Sequence, residues 1–178
     1  MLNGKNLDLA IVERGDLSLL NEWVNDPSFM GEYEPILQET NMSLEKQYDR
    51  LDEGQWFFVQ KKDGTRIGYI VHYFSGSNGH RVTEIGYALQ PSERGRGYGS
   101  EAVKMMVDYL FLSKNIVRIQ AMIRPSNAAS RRILEKAGFS EEGILRKSFF
   151  CKGAWRDTAV LSILREEWKE PKILTITR

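Results

Sequence analysis

Arg94-Gly95-Arg96-Gly97-Tyr98-Gly99-Ser100 is the stretch on which the reading of this chain turns. Ahead of it, residues 82–89 carry the β-branched and aromatic content of a strand. Behind it, Ala102, Val103, Met106, Val107, Leu110 and Phe111 recur at helical spacing. The glycines therefore sit where a strand turns into a helix. Glycine lets the backbone bend tightly there and approach a ligand closely. The first N–H groups of the new helix lack partners within it and form the positive end of its dipole. Together these make a phosphate cradle, and Arg94 and Arg96 add positive charge. A glycine-rich turn that only joins strand to helix is the plainer reading. The dinucleotide fingerprint G-x-G-x-x-G fails, because counted from Gly95 its third glycine falls on Ser100. No G-x-x-x-x-G-K-[ST] occurs, which excludes a nucleoside-triphosphate P-loop.

Working outward, residues 7–12 alternate as a first strand. Asp16 stands as an N-cap before the apolar stripe Leu17, Leu19, Leu20, Trp23 and Val24, a helix that ends near Asn25-Asp26-Pro27. Residues 28–42 read as loop or broken helix, and 43–51 as a second helix capped by Ser43. Trp56 to Val59 is a strand, Lys62-Asp63-Gly64 a hairpin turn, and Ile67, Tyr69, Val71 and Tyr73 alternate along the partner strand. Residues 75–79 form a loop. After the glycine stretch come a strand over 116–123, a helix marked by Ala129, Ile133 and Ala137 and closed by Gly138, and two strands near 143–151 and 155–164. The pattern predicts an α+β fold: a mixed, mostly antiparallel sheet of six to seven strands flanked by helices.

The 178 residues suffice for one domain with a sizeable core, taken here as 1–178 with a core over about 7–168 and a tail, 169–178, that the pattern leaves unplaced. Lys plus Arg number 25 against 24 Asp plus Glu, so the net basic footprint of a nucleic-acid binder is missing. Cys151 is the one cysteine and the histidines number two, so neither an internal disulfide nor a structural zinc site is expected. The first residues lack a long apolar run, and no stretch approaches the ~20 residues of a membrane helix. A cytoplasmic protein without membrane, metal or nucleic acid as partner is the expectation.

Two stretches resemble the GCN5-related N-acetyltransferase (GNAT) family. Arg94-Gly95-Arg96-Gly97-Tyr98-Gly99 matches that family's [Q/R]-x-x-G-x-[G/A] loop, and Asn127 to Phe139, with its closing Gly138-Phe139, resembles its second signature. Thr83 to Tyr87, Trp155-Arg156-Asp157 and Glu167-Trp168 look like the RimJ/RimL-type branch. The resemblance implies a sheet splayed between its fourth and fifth strands, with acetyl-CoA entering the gap as co-substrate. It implies that Leu89 offers backbone groups to the pantetheine arm. It further implies that the amides of Arg94, Gly95, Arg96, Gly97, Tyr98, Gly99 and Ser100 hold the pyrophosphate and that Asn127 hydrogen-bonds the arm. The residues alone point to a diphosphate without saying which.

Acetyl transfer to an amine needs a base, stabilisation of the thioester oxygen, and an acid for the leaving thiolate. The tyrosine that many members use as acid corresponds to Leu134 here. The RimJ/RimL-like branch implies Ser130 as acid and Glu84 as base. Alternation puts Glu84 on one strand face with Gly86 and Ala88, whose small side chains leave room for a substrate. A solvated strand carboxylate and a helix-surface serine are the plainer readings of these two. His72, His80 and Cys151 read as structural, and Trp56, Phe57, Phe58 and Tyr69 as core.

Charge is unevenly spread. Residues 21–54 hold nine acids against Lys46 and Arg50, a difference of −7, and residues 91–147 hold eleven bases against six acids, a difference of +5. The basic segment suits an anionic co-substrate and the acidic one a cationic amine; ordinary solvated helix faces would look the same. The acceptor expected is a primary amine: a protein N-terminus of the ribosomal-protein type, a polyamine or an aminoglycoside. A non-catalytic acyl-CoA sensor is the reading from another class. An exposed tail strand pairing with a second copy leaves a homodimer open.

Overall fold

Alternation and apolar stripes lay down the elements, and the computed structural model describes them over residues 1–50, 54–76 and 82–174. Strands β1 (Leu2–Asn3) and β2 (Leu7–Ile11) are followed by helices α1 (Leu17–Asn25), α2 (Pro27–Met30) and α3 (Asn41–Asp49). Then come β3 (Gln55–Lys61), β4 (Arg66–Ser75), β5 (Val82–Leu89), helix α4 (Tyr98–Ser113) and β6 (Arg118–Ile123). Helix α5 (Ala128–Ala137) and the hairpin of β7 (Ser140–Cys151) and β8 (Ala154–Leu164) complete the chain. The strands form one sheet in the order β1-β2-β3-β4-β5-β6-β8-β7. Every neighbouring pair is antiparallel except β5 and β6. The architecture is the α+β arrangement that the sequence predicts. Its count is eight rather than six to seven, because Leu2 and Asn3 add a short strand opposite Leu9 and Asp8.

The central strands bury both faces, and two cores result. On one side Phe57, Val59, Ile70 and Ile85 meet Val103, Met106 and Leu110 of α4 and Leu134 of α5. On the other, Phe58 and Tyr69 meet Leu20, Trp23, Phe29 and Leu44 of the first three helices. Gly138 closes α5 as predicted, with φ near +99°, a left-handed conformation that favours glycine at this position. The second helix differs from expectation. Thr40, not Ser43, caps α3, its Oγ1 accepting from the Ser43 N–H at 3.1 Å, while the Ser43 hydroxyl turns to the Glu39 carboxylate. Asp16 accepts the Glu13 N–H at 3.0 Å instead of capping α1 through its side chain.

β5 and β6 share only two pairs, Thr83 with Ile119 and Glu84 with Gln120. Beyond Glu84 the strands diverge, and the sheet opens as the resemblance implies.

The tail is folded on its own chain as far as residue 174. Asp108, fully buried on α4, accepts the N–H groups of Lys172, Ile173 and Leu174 at 2.7–3.1 Å and the Trp168 indole N–H at 3.0 Å. Trp168, Ile173 and Leu174 pack against the α4 core. These three amides thus bind within the chain and offer no edge to a second copy. Residues 51–53, 77–81 and 175–178 lie outside the described part, and with them the end of the expected second helix, most of the 75–79 loop, His80 and Thr175-Ile176. No helix among the described residues is long and apolar enough to cross a membrane.

Candidate active site

The opening between β5 and β6 continues into a cavity of about 1300 Å³ that runs from the glycine loop past Asn127 and Ser130 to Glu84. At its loop end, Gly95 and Gly97 have φ of +75° and +88°, values that L side chains adopt only with strain. A Cβ at either would meet nothing within 4 Å, so the main chain stands open to a ligand. The first bond of α4 runs from Glu101 N–H to the Gly97 carbonyl at 3.1 Å. The N–H groups of Tyr98, Gly99 and Ser100 precede it and lack helical partners. Gly99 serves a different purpose: a Cβ there would come within 2.9 Å of Ile133 Cδ1, so its smallness lets α4 pass close to α5.

The two arginines of the loop part company. Arg94 donates through Nε to the Leu89 carbonyl at 3.0 Å and through Nη2 to the Phe29 carbonyl. Its guanidinium ties the end of β5 to α2 and shapes the loop. Arg96 is exposed, with Nη1 3.6 Å from Glu93 Oε2; Glu93 also holds Lys61 at 2.6 Å. Arg94 lines the cavity beside the open amides, together with Arg132 of α5. Asn127 caps α5, its Oδ1 accepting the Ser130 N–H at 3.0 Å. That orientation leaves the Nδ2 amide to donate.

Deeper in, Glu84 is buried on the strand face predicted for it. Tyr73 donates to Oε1 at 2.7 Å, and Ser75 and Gln120 donate to Oε2 at 3.0 and 2.9 Å. Burial first, then the hydrogen bond to the Glu84 carboxylate, pushes the Tyr73 hydroxyl well above its ordinary range, so Tyr73 stays protonated and donates. Across the cavity the Ser130 hydroxyl lies 2.7 Å from the Tyr87 hydroxyl. Burial pushes Tyr87 up to about 12, the bond to Ser130 pulling the other way. The site thus sets a held carboxylate on the sheet against a paired hydroxyl on a helix. Leu134 is fully buried in the core and points away from this cavity's chemistry.

Several groups here escape sequence reading. Tyr73 and Ser75 from β4 and Gln120 from β6 reach Glu84 from the two neighbouring strands, a convergence visible only once the register Tyr73–Glu84–Gln120 is known. Glu34 lines the cavity, and burial raises its carboxyl while Arg124 draws it back down. In the sequence it is one acid among nine. Several of the others are held locally: Asp26 caps α2, Glu39 accepts from Ser43 and Asp49 pairs with Arg14. Trp56 and Tyr69 belong to the aromatic core, as expected, and also line the cavity. His72 is buried between Phe57 and Tyr109, on the sheet face away from Glu84. Cys151 is buried and free, at the end of β7.

A splayed sheet with open glycine amides at a helix start suits a ligand that carries a diphosphate. The chain belongs to the GNAT acetyltransferases: the family model described as the acetyltransferase (GNAT) domain matches residues 6–140. A probable N-acetyltransferase of Bacillus subtilis (strain 168), YjcK, is 33% identical over 181 residues, covering 94% of this chain and 98% of the relative. The solved spermidine N-acetyltransferase from Vibrio cholerae, in complex with CoA and spermine, superposes with a TM-score of 0.80 at 26% identity, covering 92% of this chain and 98% of that one. The fold is also that of Mycobacterium smegmatis RimJ in complex with CoA-disulfide (TM-score 0.77, 24% identity, 94% and 90% covered). The protein is an acetyl-CoA-dependent N-acetyltransferase.

Proposed function

We propose that this enzyme acetylates the N-terminal α-amine of a peptide, with Glu84 as the base and Ser130 as the acid. The observation that carries the reading is the placement of Glu84 and Ser130 on the walls of one cavity whose far end is the glycine loop. Gly95 to Ser100 would hold the pyrophosphate through main-chain N–H groups, and the Asn127 amide would donate to the pantetheine arm. Acetyl-CoA supplies the activated carbonyl. The ammonium form of the acceptor, drawn in by Glu84, gives one proton to solvent; the free amine attacks the carbonyl carbon, and Glu84 takes the second nitrogen proton as the amide forms. The carbon–sulfur bond breaks, and the Ser130 hydroxyl gives its proton to the departing sulfur. Tyr87, protonated and 2.7 Å away, replenishes that proton. Tyr73, Ser75 and Gln120 act as positioning residues for the carboxylate.

A polyamine acceptor is the second reading, supported by the likeness to the Vibrio cholerae enzyme and by the carboxylates of Glu34 and Glu84 in the cavity. Thiol release measured with acetyl-CoA and a panel of N-terminal peptides, spermidine and an aminoglycoside tests both. Peptide turnover is expected. Turnover of spermidine alone would replace the first reading with the second, and no turnover with any amine would leave a sensor.

A further inference from the structure

A second cavity, of about 410 Å³, adjoins the first. Glu32, Tyr33 and Arg124 line both. The β7–β8 hairpin supplies its outer wall, and there bases outnumber acids two to one. Arg124, Lys147, Lys152 and Arg156 line it against two carboxylates, Glu32 and Asp157.

None of the four cations forms an ion pair among the described residues. Lys152 Nζ donates to the carbonyls of Gly31 and Glu32 at 3.2 and 3.1 Å. Lys147 Nζ makes a long contact of 3.4 Å with the Trp155 carbonyl. Arg124 donates to Thr158 Oγ1 at 2.8 Å and to the Asp157 carbonyl at 3.3 Å, with its face 3.9 Å from the centre of the Phe149 ring, and its buried Nε has no partner. The two acids are already engaged locally: Asp157 accepts the Lys147 main-chain N–H at 2.9 Å, and Glu32 lies against the Tyr33 hydroxyl. Arg124 also acts on the Glu34 carboxyl of the first cavity, whereas Lys147 and Lys152 meet only neutral carbonyls and keep most of their attraction for an anion. Trp155, 57% exposed, adds an apolar wall.

We propose that this cavity is an anion subsite for the acceptor, and that the acceptor is a peptide with acidic side chains just after its N-terminal residue. The inference rests on the α-amine reading above. With the amine at Glu84, the chain that follows it leaves past Tyr33 and Arg124 into the cationic cavity. The same walls repel a polycation, because each further ammonium of a polyamine leaving by this route meets Lys147, Lys152 and Arg156.

The test uses peptides with one N-terminal residue and glutamate, alanine or lysine at the next three positions. The glutamate peptide should show a kcat/KM about tenfold above the alanine peptide, the size expected of a few partly exposed charge pairs, and the lysine peptide should fall below both. The ratio of glutamate to alanine peptide should collapse toward one in Arg156→Glu and Lys147→Glu, return in Arg156→Lys, and shrink with added salt. Binding is read independently of turnover from Trp155 fluorescence with CoA present: the glutamate peptide should give a saturable change that is lost in Trp155→Phe. Turnover of all three peptides at equal kcat/KM, or best turnover of the lysine peptide, overturns the subsite and leaves the α-amine reading intact. A saturable Trp155 response without turnover of any peptide overturns the α-amine reading and keeps the subsite. No response to the glutamate peptide overturns the subsite outright.

Discussion

The hydroxyl oxygens of Tyr87 on β5 and Ser130 on α5 stand 2.7 Å apart across the opening of the sheet. The Tyr87 hydroxyl also lies 3.4 Å from the Ser130 carbonyl, so one side chain joins strand and helix there, and in the proposed reaction the sulfur would lie beside the pair. As a unit, the two should fail together. Ser130→Ala is expected to lower kcat about a hundredfold and Tyr87→Phe about tenfold, general-acid contributions of ordinary size. The double variant should be no slower than Ser130→Ala alone. Additive losses in steady-state kinetics would show that the two hydroxyls act separately.

Glu84→Gln keeps the shape and, with its amide oxygen toward Tyr73, that hydroxyl's bond, while the new NH2 can donate to the Ser75 oxygen; the base is removed. A fall in kcat of about a hundredfold or more follows, with acetyl-CoA affinity by calorimetry unchanged and the acidic limb of the pH–rate profile flattened. A variant that retains the wild-type pH–rate profile would remove Glu84 from the proton path.

Gly97 has φ +88° and an unobstructed Cβ position. Gly97→Val should cost about 1–2 kcal/mol in stability through the left-handed backbone, and weaken acetyl-CoA binding by more than its effect on the fold, because the side chain would cover the open amides. Denaturant melts and calorimetry on one preparation separate the two effects. Wild-type affinity in Gly97→Val would contradict the cradle.

His72 supplies the pH dependence. Burial holds its imidazole down at about 4 against an ordinary 6.5, with Lys114 adding to the shift. The folded state therefore keeps a neutral ring where the unfolded chain would protonate, so stability is full above about pH 6.5 and drains away as the pH falls toward 4. The loss amounts to about 3 kcal/mol for a shift of this size. Urea melts at pH 7 and pH 4.5 should show a smaller difference in His72→Phe than in the wild type. Equal differences would mean that other groups drive the acid loss.

Asp108 is the fifth target. Asp108→Ala strands three main-chain N–H groups and the Trp168 indole. A loss of about 3 kcal/mol is expected for a buried carboxylate with several donors, together with faster proteolysis after Trp168. An unchanged proteolytic pattern would show that the apolar contacts of Ile173 and Leu174 suffice to hold the tail.

Much of this was legible in the chain itself, and the residues show why. The glycines and the strand before them carry their meaning locally, since a left-handed backbone and a helix start are properties of a few consecutive residues. Glu84 on a face with Gly86 and Ala88 follows from a period of two. What depends on register was hidden: Tyr73 and Gln120 meet Glu84 only because β4, β5 and β6 align at that row. The contact of the Arg94 guanidinium with the Phe29 carbonyl, distant in sequence, was equally hidden. The tail could not be placed because its anchor, Asp108, is one of two buried acids of α4, and the sequence does not say which segment each one holds: Glu101 takes Asn6 and Asp108 the tail. Thr40 and Ser43 are both sound caps, and only the Ser43 contact with Glu39 decides between them.

Two rungs alone stitch the first five strands to the last three. A donor nucleotide held in this seam, as proposed, would become mortar for the molecule as well as fuel for its reaction. At about a hundred times its Kd such a guest adds about 2.7 kcal/mol to the folded state. The endurance of this enzyme in a cell would then rise and fall with the supply of activated acetate, an idle copy being also a frailer one.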